Sequence, residues 1–299
     1  MVCSQLRVGV LFAVVAGATP LGAGIAQPRV RTEYVDVARV GGRHRFHVIL
    51  PESYDGRRTY PVLWLLHGYG ATDSIWFRRT NLLSHLASYP LIVVLPDARR
   101  SWYINARAAT AAEYESFIIQ DLHAAVVARF RVDTLHEAIG GVSMGGYGAA
   151  VLALKHPERF RFAGLLLPAL SVPDSIMPGD TTQDEGFGQS IEVAFGRAGD
   201  AYRRQHDPFH LLRGAAVATL PVFQVVVTPT DEYPSFVSIA RRWVDLARVR
   251  GVRVEYQEVA GSHNMLTADA ALPAMLQSCW RVLSSTLGAP PRRSGQRGR

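Results

Sequence analysis

In Ala138-Ile139-Gly140-Gly141-Val142-Ser143-Met144-Gly145-Gly146-Tyr147-Gly148 a serine stands between two glycines, as Gly141-x-Ser143-x-Gly145. A strand that hands over to a helix through a very tight turn needs neighbours without side chains. A serine at its apex is held in a strained backbone with Oγ exposed at the sheet edge. Residues 137–142 read as a short apolar strand and residues 148–156 as an Ala/Leu-rich helix, which is the setting the motif requires. The N–H of Met144, the next residue, then points at an oxyanion forming on a carbonyl attacked by Ser143.

Outward from this turn, strand and helix patterns alternate. Upstream, Val62-Leu63-Trp64-Leu65-Leu66 and Leu91-Ile92-Val93-Val94-Leu95 are continuously apolar, as strands covered on both faces are. Helical spacing runs over residues 76–87 and 111–130. Residues 31–40 and 44–50 favour strand around Gly41-Gly42, which reads as a hairpin. Downstream, strands at 160–167, 220–228 and 252–259 alternate with helices at 236–249 and 268–287. The pattern predicts an α/β fold: a mostly parallel sheet with helices on both faces, an antiparallel edge, and its active site at the carboxyl ends of the strands. Residues 169–219 are less periodic and rich in Pro, Gly and Asp, with Asp207-Pro208 opening a short helix; this segment is expected to cap the site.

Length and composition set the frame. A chain of 299 residues with 48% apolar content fits one α/β domain at residues 27–287. Arg7, the apolar run 8–16 and the small residues ending at Ala26 predict a signal peptide, residues 1–26, and a secreted or periplasmic protein without integral membrane association. Cys279 is then the only thiol, on an amphipathic helical pattern, and is expected in the core. The formal charge of +7 falls to about +2 once Arg7 and the four arginines of the basic, disordered tail at 288–299 are set aside. No basic patch with interleaved aromatics suggests nucleic acid.

A serine hydroxyl needs a nearby imidazole to take its proton and a carboxylate to hold that imidazole. After the strand at 220–228 stand Asp231 and Glu232; Asp231 is favoured because it lies nearer the strand end. His263, in Ala260-Gly261-Ser262-His263-Asn264, follows the last strand and comes after both partners in the order nucleophile, acid, base. His67 is the rival, but it precedes Ser143. A second oxyanion donor is expected from the loop Gly68-Tyr69-Gly70, through the N–H of Tyr69. Trp102, Tyr103 and Trp76 follow strand ends and are candidate pocket walls, Trp102 foremost. His206 and His210 are four apart, but Pro208 puts them across a turn with no third ligand nearby, so neither a metal nor another cofactor is expected.

Tyr60-Pro61-Val62-Leu63-Trp64-Leu65-Leu66-His67-Gly68, Ser101-Trp102-Tyr103, Tyr114-Glu115-Ser116-Phe117-Ile118-Ile119-Gln120-Asp121-Leu122 and Gly140-Gly141-Val142-Ser143-Met144-Gly145-Gly146-Tyr147-Gly148-Ala149 together give the chain a family likeness. From about Val37 to Trp280 it resembles the esterase-D-like branch of the α/β-hydrolases. That branch includes S-formylglutathione hydrolases, feruloyl and acetyl-xylan esterases and the mycobacterial mycolyltransferases. The resemblance implies the α/β-hydrolase fold, Ser143 as nucleophile, Asp231 as acid, His263 as base, and the N–H groups of Tyr69 and Met144 as oxyanion hole. It implies a secreted serine esterase acting on a small-molecule or glycan-linked ester. The alternatives are acyl transfer to a sugar or lipid alcohol, as in the mycolyltransferases, and a non-catalytic envelope binding protein on the same scaffold. The family often carries a tryptophan two residues after its catalytic histidine; Met265 stands there instead, which bears on substrate fit.

Overall fold

A computed structural model describes residues 28–108, 112–172 and 185–287. The expected leader at 1–26, the basic tail at 288–299 and part of the expected cap segment lie outside the described residues.

The strands are β1 (Arg29–Val37), β2 (Gly42–Leu50), β3 (Tyr60–Leu66), β4 (Ile92–Pro96), β5 (Val132–Val142), β6 (Phe160–Leu166), β7 (Val222–Val227) and β8 (Val254–Glu258). They form one eight-stranded sheet in the order β1-β2-β4-β3-β5-β6-β7-β8. β1 pairs antiparallel with β2 and β2 with β4, whereas every pairing from β4 through β8 is parallel. The antiparallel edge is the expected hairpin, with Gly41 at φ 89° and Gly42 at φ 95° turning the chain. All seven residues of β3 are buried, as a central strand with helices on both faces must be.

The helices are α1 (Ile75–Arg79), α2 (Leu82–Leu86), α3 (Tyr114–Ser116), α4 (His123–Arg129), α5 (Met144–Lys155), α6 (Glu185–Phe195), α7 (Ala201–Gln205), α8 (Pro208–Gly214), α9 (Pro234–Val249) and α10 (Met265–Thr286). The structure departs from the sequence reading at two helices. The helical pattern at 76–87 is broken into α1 and α2, because Asn81 turns its backbone N–H and its side-chain amide to the Asp269 carboxylate on α10, at 2.9 and 2.6 Å. The pattern at 111–130 becomes α3, a π-helical stretch at Phe117–Leu122, and α4.

One core cluster holds Phe46, Trp64, Phe117, Tyr147, Phe223 and Trp243; the other holds Leu63, Leu65, Trp76, Phe162, Met275 and Cys279. Burial of Cys279 raises its thiol pKa far above the ordinary value. In the segment expected to cap the site lie α6, α7 and α8, the last opened as expected by Asp207, whose carboxylate accepts from the N–H groups of Phe209 and His210.

Candidate active site

Five non-glycine residues have positive φ among the described residues: Arg99, Trp102, Tyr103, Ser143 and Leu167. They follow β4, β5 and β6, so the backbone strain gathers at one edge of the sheet, where the parallel strands end. Ser143 sits at φ 57° and ψ −115° between β5 and α5. Its N–H donates to the Leu166 carbonyl at 2.9 Å and its carbonyl accepts from Tyr147 and Ala169, which clamps the turn to β6 and α5. A Cβ on Gly141 would lie 2.5 Å from the Gly145 carbonyl carbon, and one on Gly145 would lie 2.7 Å from the His67 carbonyl oxygen. Only glycine fits at either place.

The structure brings Ser143, His263 and Asp231 together. His263 Nε2 lies 2.8 Å from Ser143 Oγ, and its Nδ1 lies 2.9 Å from Asp231 Oδ2. An ionised carboxylate only accepts, so Nδ1 carries the proton toward Asp231 and Nε2 is left to accept from the serine hydroxyl. The second oxygen of Asp231, Oδ1, accepts from the Tyr233 N–H at 2.8 Å. Glu232, the other acid candidate, instead accepts from the His263 backbone N–H at 2.6 Å. That bond, with smaller contributions from its surroundings, holds the Glu232 carboxyl below the usual range. Thus one carboxylate meets the imidazole and its neighbour meets the loop that carries it.

That loop is tied down from both ends. Thr228 Oγ donates to the Gly261 carbonyl at 2.7 Å, and the Asn264 side chain caps α10 by accepting from the Thr267 N–H at 3.0 Å. Met144 is the first residue of α5, so its N–H has no intrahelical acceptor and is left for another oxygen. Tyr69 lies in the loop after β3 and, like Ser143, lines a cavity over this edge of the sheet.

His67 and Asp73 hold the Tyr69 loop. His67 is fully buried: its Nδ1–H donates to the Gly68 carbonyl at 2.8 Å, and its Nε2 accepts from the Ala98 N–H at 3.0 Å. Burial pushes its pKa down, and an Nε2 that accepts requires the neutral ring. Asp73 accepts two bonds from Arg45, at 2.9 and 2.7 Å, and His47 Nδ1 lies 2.8 Å from its Oδ2. Burial alone would raise the Asp73 carboxyl, but the bonds to His47 and Arg45 outweigh it and hold the group below its ordinary value.

Above Ser143 lies a cavity of about 360 Å³ lined by Tyr69, Trp102, Phe187, Tyr233, Phe236 and His263, among others. Trp102 is in its wall, as expected, with its indole N–H donating to Ser190 Oγ at 3.2 Å. Tyr103 and Trp76 are not, and the expectation for them is corrected. Tyr103 is fully buried with its hydroxyl donating to the His67 carbonyl at 2.8 Å, and Trp76 is buried in the second core cluster. Aromatics after strand ends turn either way, and these two turn inward. Phe187, Tyr233 and Phe236 were missed; the last two flank the imidazole edge-on, with ring centroids 5.1 and 5.5 Å from that of His263. His206 Nδ1 bonds the Tyr202 carbonyl, while His210 Nδ1 faces Arg204.

The parallel sheet, the strained serine turn and the loops at the strand ends define an α/β-hydrolase fold. The chain matches the family described as "Putative esterase" over residues 38–279 and belongs to it. Among curated proteins it is 33% identical to an esterase of Mycobacterium tuberculosis over 46% of this chain and 31% of that protein. It is 28% identical to an endo-1,4-beta-xylanase/feruloyl esterase of Xylanibacter ruminicola over 49% of this chain and 24% of that protein. The chain thus spans about a third or less of these relatives' length. It is also 27% identical to the diacylglycerol acyltransferase/mycolyltransferase Ag85A of Mycobacterium gordonae, over 92% of this chain and 86% of that one. Among solved structures, the S-formylglutathione hydrolase of Staphylococcus aureus superposes with a TM-score of 0.73 at 21% identity, covering 85% of this chain and 99% of that chain. A ferulic acid esterase does so at 0.72 and 22%, covering 86% and 98%. At these identities the superpositions speak for the fold alone.

Proposed function

We propose that this protein is a serine carboxylic-ester hydrolase that works through an acyl-enzyme on Ser143. The observation that supports this most is the pair of contacts on one imidazole, 2.8 Å to Ser143 Oγ and 2.9 Å to Asp231 Oδ2, at the floor of an aromatic cavity. Ser143 Oγ attacks the ester carbonyl as its proton passes to His263 Nε2, and Asp231 stabilises the imidazolium. The oxyanion is met by the N–H groups of Tyr69 and Met144, each donor worth about 3 kcal/mol of barrier. His263 returns the proton to the leaving alcohol, and water, activated by the same imidazole, releases the acid. The substrate is a small-molecule or glycan-linked ester, and no nucleic acid takes part. No helix among the described residues is long and apolar enough to cross a membrane. The leader pattern at 1–26 supports export; N-terminal sequencing of secreted or periplasmic protein should begin at Gln27, and an N-terminus at Met1 would refute it.

The test is release of p-nitrophenol from short- and medium-chain p-nitrophenyl esters by the wild type and by its Ser143→Ala, His263→Ala, Asp231→Ala and Glu232→Ala forms. Loss with the first three, and most of the rate retained by Glu232→Ala, is expected; a folded wild type that cleaves none of the esters would overturn the reading. Acyl transfer is the second reading, favoured by the likeness to Ag85A over 92% of the chain. Product analysis with added sugar and glycerol acceptors separates the two, since transfer yields a new ester where hydrolysis yields the free acid.

A further inference from the structure

A second cavity, of about 350 Å³, adjoins the one over Ser143 and is lined by Arg99, Ala106, Tyr114, Ser190, Val193 and Ala194, among others. Side chains that line the two cavities touch one another. Trp102, in the wall of the first, bonds Ser190, in the wall of the second. The Arg100 guanidinium, at the second, lies 4.9 Å from the ring centroid of Tyr69, at the first. Helix α6 serves both, presenting Phe187 to one and Ser190 to the other.

The site fixes which end of an ester faces the second cavity. The leaving oxygen must sit beside His263 Nε2 to receive its proton, and His263 is flanked by Tyr233 and Phe236. The acyl group therefore lies on the opposite side, along Tyr69, Trp102 and Phe187, which touch one another ring to ring. Beyond them is the second cavity.

That cavity is mostly apolar, but two exposed arginines, Arg99 and Arg100, stand in its wall, and Arg100 lies over the Tyr69 ring. The Arg99 guanidinium makes no ion pair within 4.0 Å among the described residues; Asp97 accepts only its backbone N–H, at 3.1 Å. Its charge is felt at Tyr114, on the same cavity, and at His44, whose Nε2 lies 3.0 Å from the Tyr114 hydroxyl. Asp97 acts on both residues in the opposite sense, so its carboxylate moderates this charge without pairing with it. Arg99 is also held at φ 48°, a conformation that costs an L-residue energy. An apolar hollow whose Arg99 guanidinium has no ion-pair partner among the described residues fits a chain that is apolar along its length and anionic at its end.

Resting on the esterase reading above, we propose that the second cavity is a subsite for the distal end of the acyl group, and that it selects acyl chains ending in a carboxylate held by Arg99. The preferred substrates are then half-esters of dicarboxylic acids long enough to pass the Arg100–Tyr69 rim.

The test compares mono-p-nitrophenyl esters of α,ω-dicarboxylic acids of increasing length with the neutral p-nitrophenyl esters of the same chain length. It uses the wild type, Arg99→Gln, and Arg99→Gly, which removes the charge and relieves the positive φ. The wild type should prefer the carboxylate series beyond a threshold length. Both variants should raise KM for that series about tenfold, as loss of a charge-assisted contact does, while leaving neutral esters unchanged. Calorimetric binding of the uncleaved half-esters to Ser143→Ala and to Ser143→Ala/Arg99→Gln should show the same tenfold loss, and this arm needs no activity. Equal KM for both series, or half-ester binding indifferent to Arg99, overturns the subsite and leaves the esterase reading standing. Absence of hydrolysis in a folded wild type that still binds half-esters through Arg99 overturns the esterase reading and leaves the subsite.

Discussion

Replacing Gly145 by alanine tests whether the strained turn is what holds the serine. The added methyl would meet the Leu66 carbonyl oxygen and lie 2.7 Å from the His67 carbonyl oxygen and the Leu66 carbonyl carbon. These are backbone atoms at the end of β3, without a rotamer to give way, so either β3 or the turn must move. Overpacking costs about 1–3 kcal/mol, and a backbone clash belongs at the upper end, about 3 kcal/mol. For a domain of this size that lowers Tm by about 6–12 °C. The turn moves Ser143 relative to His263, across a contact of 2.8 Å, and an error approaching 1 Å in such a contact costs about 100-fold in kcat. Gly188 is the control: it lies on α6, and a methyl there meets nothing within 4 Å. Gly188→Ala should gain about 1 kcal/mol from helix propensity and leave the rate unchanged. Calorimetry and p-nitrophenyl acetate kinetics on both variants decide the matter. A Gly145→Ala protein that melts with the wild type and keeps its kcat would refute the reasoning.

Three further outcomes follow from the same geometry. Asp231→Asn should leave the fold intact but lower kcat by about 10⁴, because the amide no longer fixes the imidazole tautomer; a loss below about tenfold would remove Asp231 from the mechanism. Asp73→Asn leaves the half-exposed Arg45 without its carboxylate, costs about 2 kcal/mol, and should lower kcat more than it raises KM by loosening the Tyr69 loop; an unchanged kcat would show that Asp73 is only structural. Burial lowers the pKa of His44 (with a smaller push from Arg99), His67 and His206 below 6.5, so the unfolded chain takes up protons first as the pH falls. Tm should therefore drop as pH falls below 6.5, and His206→Gln should make the drop shallower. Glu115 adds a second loss at lower pH: burial pushes its carboxyl up, but the His156 bond and the Lys155 charge win and hold it below 4.5. A Tm that stays flat into the acid range would contradict this.

The sheet was legible because its signals are local: unbroken apolar runs such as 62–66 mark a strand covered on both faces, and Gly41-Gly42 marks the one tight hairpin. Ser143, Asp231 and His263 could be named as candidates for the same reason, each standing within a few residues of a strand end and so bound for one sheet edge, where the structure brings them together. What could not be read depends on where side chains turn in space. Trp102 and Tyr103 are adjacent, yet one walls the cavity and the other fills the space beneath Gly148, where a Cβ would lie 2.6 Å from the Tyr103 ring. Asp73 looks like a loop charge until β2 brings Arg45 and His47 to it. Phe187 lies on a helix of the segment expected to cap the site, and no periodicity tells that it lines the cavity over Ser143. Likewise the break between α1 and α2 is made by Asp269, almost two hundred residues downstream.

The central claim is that Ser143 carries the acyl group between two half-reactions. Rapid-mixing kinetics with p-nitrophenyl acetate, with the enzyme quenched in acid and its peptides weighed, tests it most directly. The account predicts a burst of p-nitrophenol stoichiometric with enzyme and one acetyl group on the peptide that holds Ser143, both lost in Ser143→Ala. Turnover that persists in Ser143→Ala, or an acetyl group found on another residue, would contradict it.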